Sequence, residues 1–189
     1  MPTLLSDVPS QLQKWTVGPA RQKNGQMSIC SANGPDGLWP TLQLLPRERL
    51  GDIVVPFEPS VFRGTGAEPR KNILFTIPED VMRDLQAIEE WAQKNVPSLS
   101  APWHSCLKEP GNYGAGLKAK INVEGRHICL IFDAKGAPTE WPESWHRLPV
   151  IPIIEVKGVY SQKTGSGLIL DVIQLMVGDE LEPKSCEWF

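Results

Sequence analysis

Only one stretch of this chain has a helical period. In "PEDVMRDLQAIEEWAQKNV", Val81, Leu85, Ile88 and Trp91 recur at spacings of three and four, behind Pro78 and two acids. Proline at the entry and carboxylates in the first turn suit a helix N-terminus, and Pro97 forbids continuation at the other end. The spacing predicts one helix from about Glu79 to Asn95. Everything else must be built without helices, and that restricts the fold more than any other feature.

The remaining apolar segments are short and broken by turn residues. "NILFTI", "LKAKINVE", "HICLIFDA", "VIPIIEVKGVY" and "GLILDVIQLMV" alternate or run apolar as strands do, and 18 prolines and 16 glycines punctuate the chain. Two or three short strands are expected between Lys14 and Pro46, with Asn24-Gly25, Asn33-Gly34 and Asp36-Gly37 supplying the positive φ of tight hairpins. The apolar run in "DIVVPFEPSVF" carries proline, which confines it to an edge strand or an extended loop. "DAKGAP" reads as a hairpin turn and "SQKTGSG" as a loop between two long strands. A helix embedded among six to eight strands predicts a mainly β (α+β) domain, a small closed or nearly closed barrel with one packed helix. Residues 1–14 are expected as a flexible or loosely docked arm, 15–178 as the domain and 179–189 as a tail.

The chain's 189 residues can bury a core without disulfides or metal. Cys30, Cys106, Cys129 and Cys186 form no C-x-x-C pair, and "MPTLLSDVPSQLQKW" lacks the basic start and apolar stretch of a signal peptide. The expectation is a soluble protein with reduced thiols in an intracellular compartment. The net charge is −3, yet its distribution says more than its sum. The last eleven residues hold four carboxylates and one lysine; removing them from the chain's 22 acidic and 19 basic residues leaves 18 of each. Five more acids lie in the helical segment, so the strand-and-loop part is mildly basic.

Constellations for catalysis are weak. No G-x-S-x-G, P-loop, H-E-x-x-H or strand-borne G-x-G-x-x-G occurs, and His104 or His146 as general base lacks a nucleophile at recognisable spacing. His104-x-Cys106 and His127-x-Cys129 offer zinc chemistry, but not at the usual knuckle spacing. In "HICLIF" the same alternation makes His127 and Cys129 neighbours on one strand face, where cysteine packs as a small apolar side chain. No enzymatic activity, metal or cofactor is expected.

Cations interleaved with aromatic rings form a more coherent pattern. A sequence-neutral binder of single-stranded nucleic acid needs lysines and arginines along a groove, with rings on which unstacked bases can lie. "APWHSCLKEPGNYGAGLKAKINVEG" supplies Trp103, Lys108, Tyr113, Lys118 and Lys120, and alternation puts the last two on one strand face. "EVKGVYSQKTGSG" adds Lys157, Tyr160 and Lys163, and "FRGTGAEPRK" adds Arg63, Arg70 and Lys71 in a glycine-rich loop. Trp15, Trp39, Trp91, Trp141 and Trp145 are assigned mainly to packing.

"LPVIPIIEVKGVYSQKTGSGLILDVIQLMV" resembles the final hairpin of OB-fold single-stranded DNA-binding proteins of large DNA viruses and phages. The matching residues are Lys157, Gly158, Tyr160, Gly167, Leu168, Leu170 and Val172; upstream, an acidic helix precedes a basic-aromatic strand ending in a Lys-x-Lys pair, over roughly residues 15–178. The resemblance implies an OB-like Greek-key barrel that coats single-stranded DNA in replication, recombination or repair, without cofactor or reaction. It implies a nuclear or viral replication-site location if the source is viral, and oligomers or RNA binding stay open alternatives. The end of the chain, "GDELEPKSCEWF", resembles the acidic, aromatic-terminated tails of such replication proteins. Asp179, Glu180, Glu182 and Glu187 would compete with phosphate for the groove, while Trp188 and Phe189 engage a replication partner, unless the two rings fold back on the barrel. The competing class is a β-barrel protein-interaction or virion structural module using the same rings as hot spots.

Overall fold

A computed structural model describes residues 2–23, 27–60, 69–111 and 114–179. Twelve strands are present among them: β1 (Thr3–Leu4), β2 (Thr16–Val17), β3 (Arg21–Lys23), β4 (Met27–Asn33), β5 (Thr41–Gln43), β6 (Val54–Val55), β7 (Arg70–Ile77), β8 (Leu107–Gly111), β9 (Gly114–Asn122), β10 (Leu130–Phe132), β11 (Leu148–Gln162) and β12 (Gly165–Val177). One α-helix, α1 (Glu79–Asn95), separates β7 from β8. Several strands are only two or three residues long, which is why their number exceeds the six to eight expected from apolar runs.

Five strands close a barrel. β11 pairs antiparallel with β12 and with β6, β6 with β7, β7 with β9, and β9 returns in parallel to β12. The fold is thus the expected one, mainly β with an OB-like barrel and a single packed helix over 79–95. Alternation fills its interior: Ile73, Phe75 and Ile77 of β7 face inward with Leu117, Ala119 and Ile121 of β9 and Val156, Leu170 and Val172 of the long hairpin. Each such Leu, Ile, Val or Phe contributes on the order of 1.5–3 kcal/mol by leaving water.

The helix packs its Val81, Leu85, Ile88 and Trp91 stripe against β8, β9 and the N-terminal segment. Its first turn is tied down by Arg49, whose guanidinium donates to Asp80 Oδ2 at 2.5 Å. Glu89 is buried on the same helix and accepts from Ser105 Oγ and Cys106 N, both at 2.7 Å, fixing the loop that leads into β8.

Three local expectations are corrected. Residues 2–14 are packed: β1 pairs in parallel with β5, Leu5 and Val8 are buried, and Trp15 meets Trp91 edge-on at 5.5 Å. "SQKTGSG" is strand to Gln162 and again from Gly165, leaving a two-residue turn at Lys163 and Thr164. Asn33-Gly34 makes no hairpin, because β4 and β5 do not pair with each other; both flank β11. Gly37 has the positive φ of +77° expected for its turn, and Asn24-Gly25 lies outside the described residues. The Asp133 turn of "DAKGAP" forms, with Asp133 Oδ1 accepting from the backbone of Lys135 and Ala137.

Candidate nucleic-acid interface

The long strand β11 changes partners in its middle, and the site is built at that change. Its pairing with β5 ends at Glu155, and its pairing with β4 begins at Gly158. Against β12 the register slips between Val156 and Gly158, so Lys157 is the extra residue of a bulge. Bulges bend a strand and re-aim a side chain. Gly158 makes this one possible: its φ is +145°, and a Cβ there would stand 2.0 Å from the carbonyl oxygen of Cys30. Only glycine lets β4 approach so closely.

From the bulge outward, register places cations on one outer sheet face. Gly158 pairs with Ile169, Tyr160 with Gly167 and with Ile29, and Ile29 with Arg21 of β3. In the other direction Asp171 pairs with Glu155 and Lys120, Lys120 with Asn72, and Lys118 with Leu74. Arg21, Lys23, Tyr160, Arg70, Lys118 and Lys120 therefore belong to one continuous face spanning β3, β4, β11, β12, β9 and β7. A cleft of about 530 Å³ opens on it, lined by Arg21, Lys23, Arg70, Lys157, Ile29, Ile169 and Trp39.

Two of the cleft's cations are paired with acids beside it. Arg70 donates from Nη2 to Asp171 Oδ1, and Lys157 Nζ lies 3.4 Å from Asp171 Oδ2 and 3.3 Å from Glu155. Lys120 Nζ donates to Asn72 Oδ1 at 2.5 Å. Trp39 is 46% exposed, and Lys157 Nζ stands 4.2 Å from its ring centroid, a cation–π contact. Tyr160 lies across Gly167, where a Cβ would come within 2.9 Å of its hydroxyl; burial pushes its phenol above the usual range.

Other expected site residues fall elsewhere. Lys71 alternates with Arg70, pairs with Ile121 and so sits on the opposite side of β7. Trp103 bridges to Ser166, a fully buried residue on the other side of β12 from Gly167, and packs against the core with its Nε1 unpartnered. Lys108 is exposed opposite Gly116, beside Lys118 on the outer face, and Lys163 is exposed at the hairpin tip beyond Lys23 and Gln162. Arg63, Tyr113, Glu180, Glu182, Glu187, Trp188 and Phe189 lie outside the described residues, and Asp179 is exposed at their edge.

Arg21, Lys23, Trp39 and Asp171 join this face without having been among the residues expected from the sequence. Arg21-x-Lys23 carries a readable signal, two cations at strand spacing. So does Asp171, a lone acid inside "GLILDVIQL", which requires a cation where it is buried. Trp39, expected in the packing, is half out of it, because an indole in a Gly/Pro-rich loop has no period to place it.

The thiols and imidazoles are occupied differently. Cys30, Cys106 and Cys129 are buried free thiols, and burial pushes Cys129 up to about 12. His127 is exposed in a turn while Cys129 is buried ahead of β10, so they do not share a strand face as expected. His104 Nε2 and His146 Nδ1 contact the carbonyls of Thr164 and Pro56, at 2.8 and 3.0 Å. Among the described residues no three His, Cys, Asp or Glu side chains gather as metal ligands, and no helix is long and apolar enough to cross a membrane.

No family model and no curated protein matches the chain. Among solved structures it is similar to gp2.5, a single-stranded DNA-binding protein encoded by bacteriophage T7, with a TM-score of 0.49 and 16% identity over 72% of this chain and 87% of that one.

Proposed function

We propose that this protein is a non-enzymatic single-stranded DNA-binding protein whose strand lies along the face from Arg21 to Lys118. The observation that carries this reading is one cleft in which Arg21, Lys23, Arg70 and Lys157 surround an exposed indole, Trp39. Phosphates recruit cations from any sequence, whereas an exposed ring can stack only on a base whose faces are free. A duplex keeps those faces covered, so the combination favours a single strand. Ile29 and Ile169 line the floor between the cations and give sugar or base an apolar seat.

In this reading the protein coats and protects DNA during replication, recombination or repair inside the cell. The segment 179–189 acts as an acidic competitor and partner handle: deleting it tightens strand binding and removes partner recruitment. Weaker binding by the truncated protein would sink that part.

The deciding experiment is titration with a thymidine homopolymer at low and high salt, followed by tryptophan fluorescence. Trp39 should be quenched, and affinity should fall steeply with salt. A flat response at low salt would end the reading and leave the protein-interaction module in its place.

A further inference from the structure

Two of the cations that line the cleft are already engaged. Asp171 is not itself a lining residue but lies behind them with its side chain only 8% exposed, and each of its oxygens faces one of them: Oδ1 accepts from Arg70 of β7, and Oδ2 lies 3.4 Å from Lys157 of β11. Its register partner on the third side is Lys120 of β9. A carboxylate between two cations offers the same acceptors and the same single charge as a phosphodiester.

We propose that Asp171 is a built-in phosphate surrogate, so that a strand binds by exchanging with it for Arg70 and Lys157 rather than by meeting free cations. This rests on the reading of the cleft as a single-strand site. Asp171 is fixed in the middle of β12 and cannot withdraw, whereas the Arg70 side chain is 41% exposed and can turn its guanidinium outward. Stripping both cations at once from a carboxylate this buried is strongly disfavoured, because its register neighbour Lys120 already donates to Asn72. The strand can therefore take one of the two fully, not both. Asp171 thereby limits how many phosphates the centre of the cleft holds and keeps affinity modest.

Two opposed effects follow from removing Asp171, and the structure decides between them. Loss of the carboxylate loosens the aim of Arg70 and Lys157, which would weaken binding; it also removes a negative charge, releases Arg70 and leaves Lys157 with one carboxylate partner instead of two, which would strengthen it. Lys157 retains Trp39 at 4.2 Å and Glu155 at 3.3 Å, so its aim survives. Release prevails.

The test is a double-mutant cycle on the full chain with a thymidine homopolymer, read by anisotropy at several salt concentrations. Asp171→Asn should tighten binding about ten-fold at low salt, and the slope of log K on log salt should steepen by about 0.7 for each further phosphate that a single strand has neutralised. Arg70→Gln should weaken binding in both backgrounds, by about three-fold in the wild type, where Asp171 holds part of its charge, and by about ten-fold in the Asp171→Asn background, where its charge is no longer spent internally. An Arg70→Gln effect of equal size in both backgrounds, or Asp171→Asn binding no more tightly than wild type, overturns the exchange. Should Asp171→Asn melt before it can be measured, Arg70→Gln in the wild type still decides: a full ten-fold loss there means Arg70 was never held in reserve. Steep salt-dependent binding by the wild type together with that loss defeats the exchange alone; no binding by the wild type defeats the cleft itself.

Discussion

The ammonium of Lys157 stands 4.2 Å from the ring centroid of Trp39, and the two side chains together form one wall of the cleft. Neither is placed by the regular part of its element: Lys157 is the extra residue of a bulge, and Trp39 lies in the loop between β4 and β5. The cation–π contact keeps ammonium and indole side by side, so phosphate and base can be met at adjacent points.

Trp39→Ala should therefore weaken single-strand binding without weakening the fold. A lost stacking platform costs about 1–3 kcal/mol per base. The indole is 46% exposed, so stability should change little, as for surface substitutions, by about 0.5 kcal/mol or less. Anisotropy of a labelled oligonucleotide and a thermal melt read the two quantities separately. Unchanged affinity would remove Trp39 from the site.

Lys118 tests the outer limit of the face. It is exposed, shares the face with Lys120 and lies two positions from it along β9. If a phosphate reaches it, Lys118→Gln should flatten the slope of log K on log salt by about 0.7 while leaving base preference alone. The same change in Lys71, on the other side of β7, should leave the slope as it is.

Much of the architecture is legible in the sequence because it rests on local period. The helix over 79–95 needs only the three-and-four spacing of Val81, Leu85, Ile88 and Trp91, and the long hairpin needs only alternation. The N-terminal segment is not legible this way: Leu5 and Val8 are buried only because β5 and α1 are waiting for them. The site is half legible. Lys118 and Lys120 follow from alternation, but Arg70, Lys157 and Asp171 come from three strands and meet only through a parallel β9–β12 pairing and a bulge, which no local pattern encodes.

The Arg49–Asp80 pair makes a pH prediction. The hydrogen bond from Arg49 holds the Asp80 carboxyl below its ordinary 3.8, against a smaller opposing effect of burial. The unfolded chain then binds more protons than the folded one between the two values, so stability from this pair is fully present above about pH 4 and is lost as pH falls through the folded value. Both side chains are a third or more exposed, at 35% and 43%, so solvent screens the interaction. Asp80→Asn should cost about 0.5–1 kcal/mol at neutral pH, and nothing once the pH is below the folded value. Urea midpoints measured across that range check both the size and the sign; a cost that persists in acid would mean the carboxyl acts through shape rather than charge.

Gly158 and Gly37 separate two reasons for glycine. Both have positive φ, at +145° and +77°, but a Cβ at Gly37 would meet nothing within 4 Å, whereas at Gly158 it would stand 2.0 Å from the Cys30 carbonyl oxygen. Gly37→Ala should cost only the conformational term, about 1–2 kcal/mol. Gly158→Ala must in addition push β4 away from β11, and with it the strand that carries Ile29 and, through β3, Arg21 and Lys23. Its cost should exceed that of Gly37→Ala by about 2 kcal/mol or more, and oligonucleotide affinity should fall with it because one wall of the cleft moves. Urea denaturation of the two variants side by side measures the difference. Equal costs would mean that β4 yields easily and that the bulge at Lys157 does not depend on the close approach of the two strands.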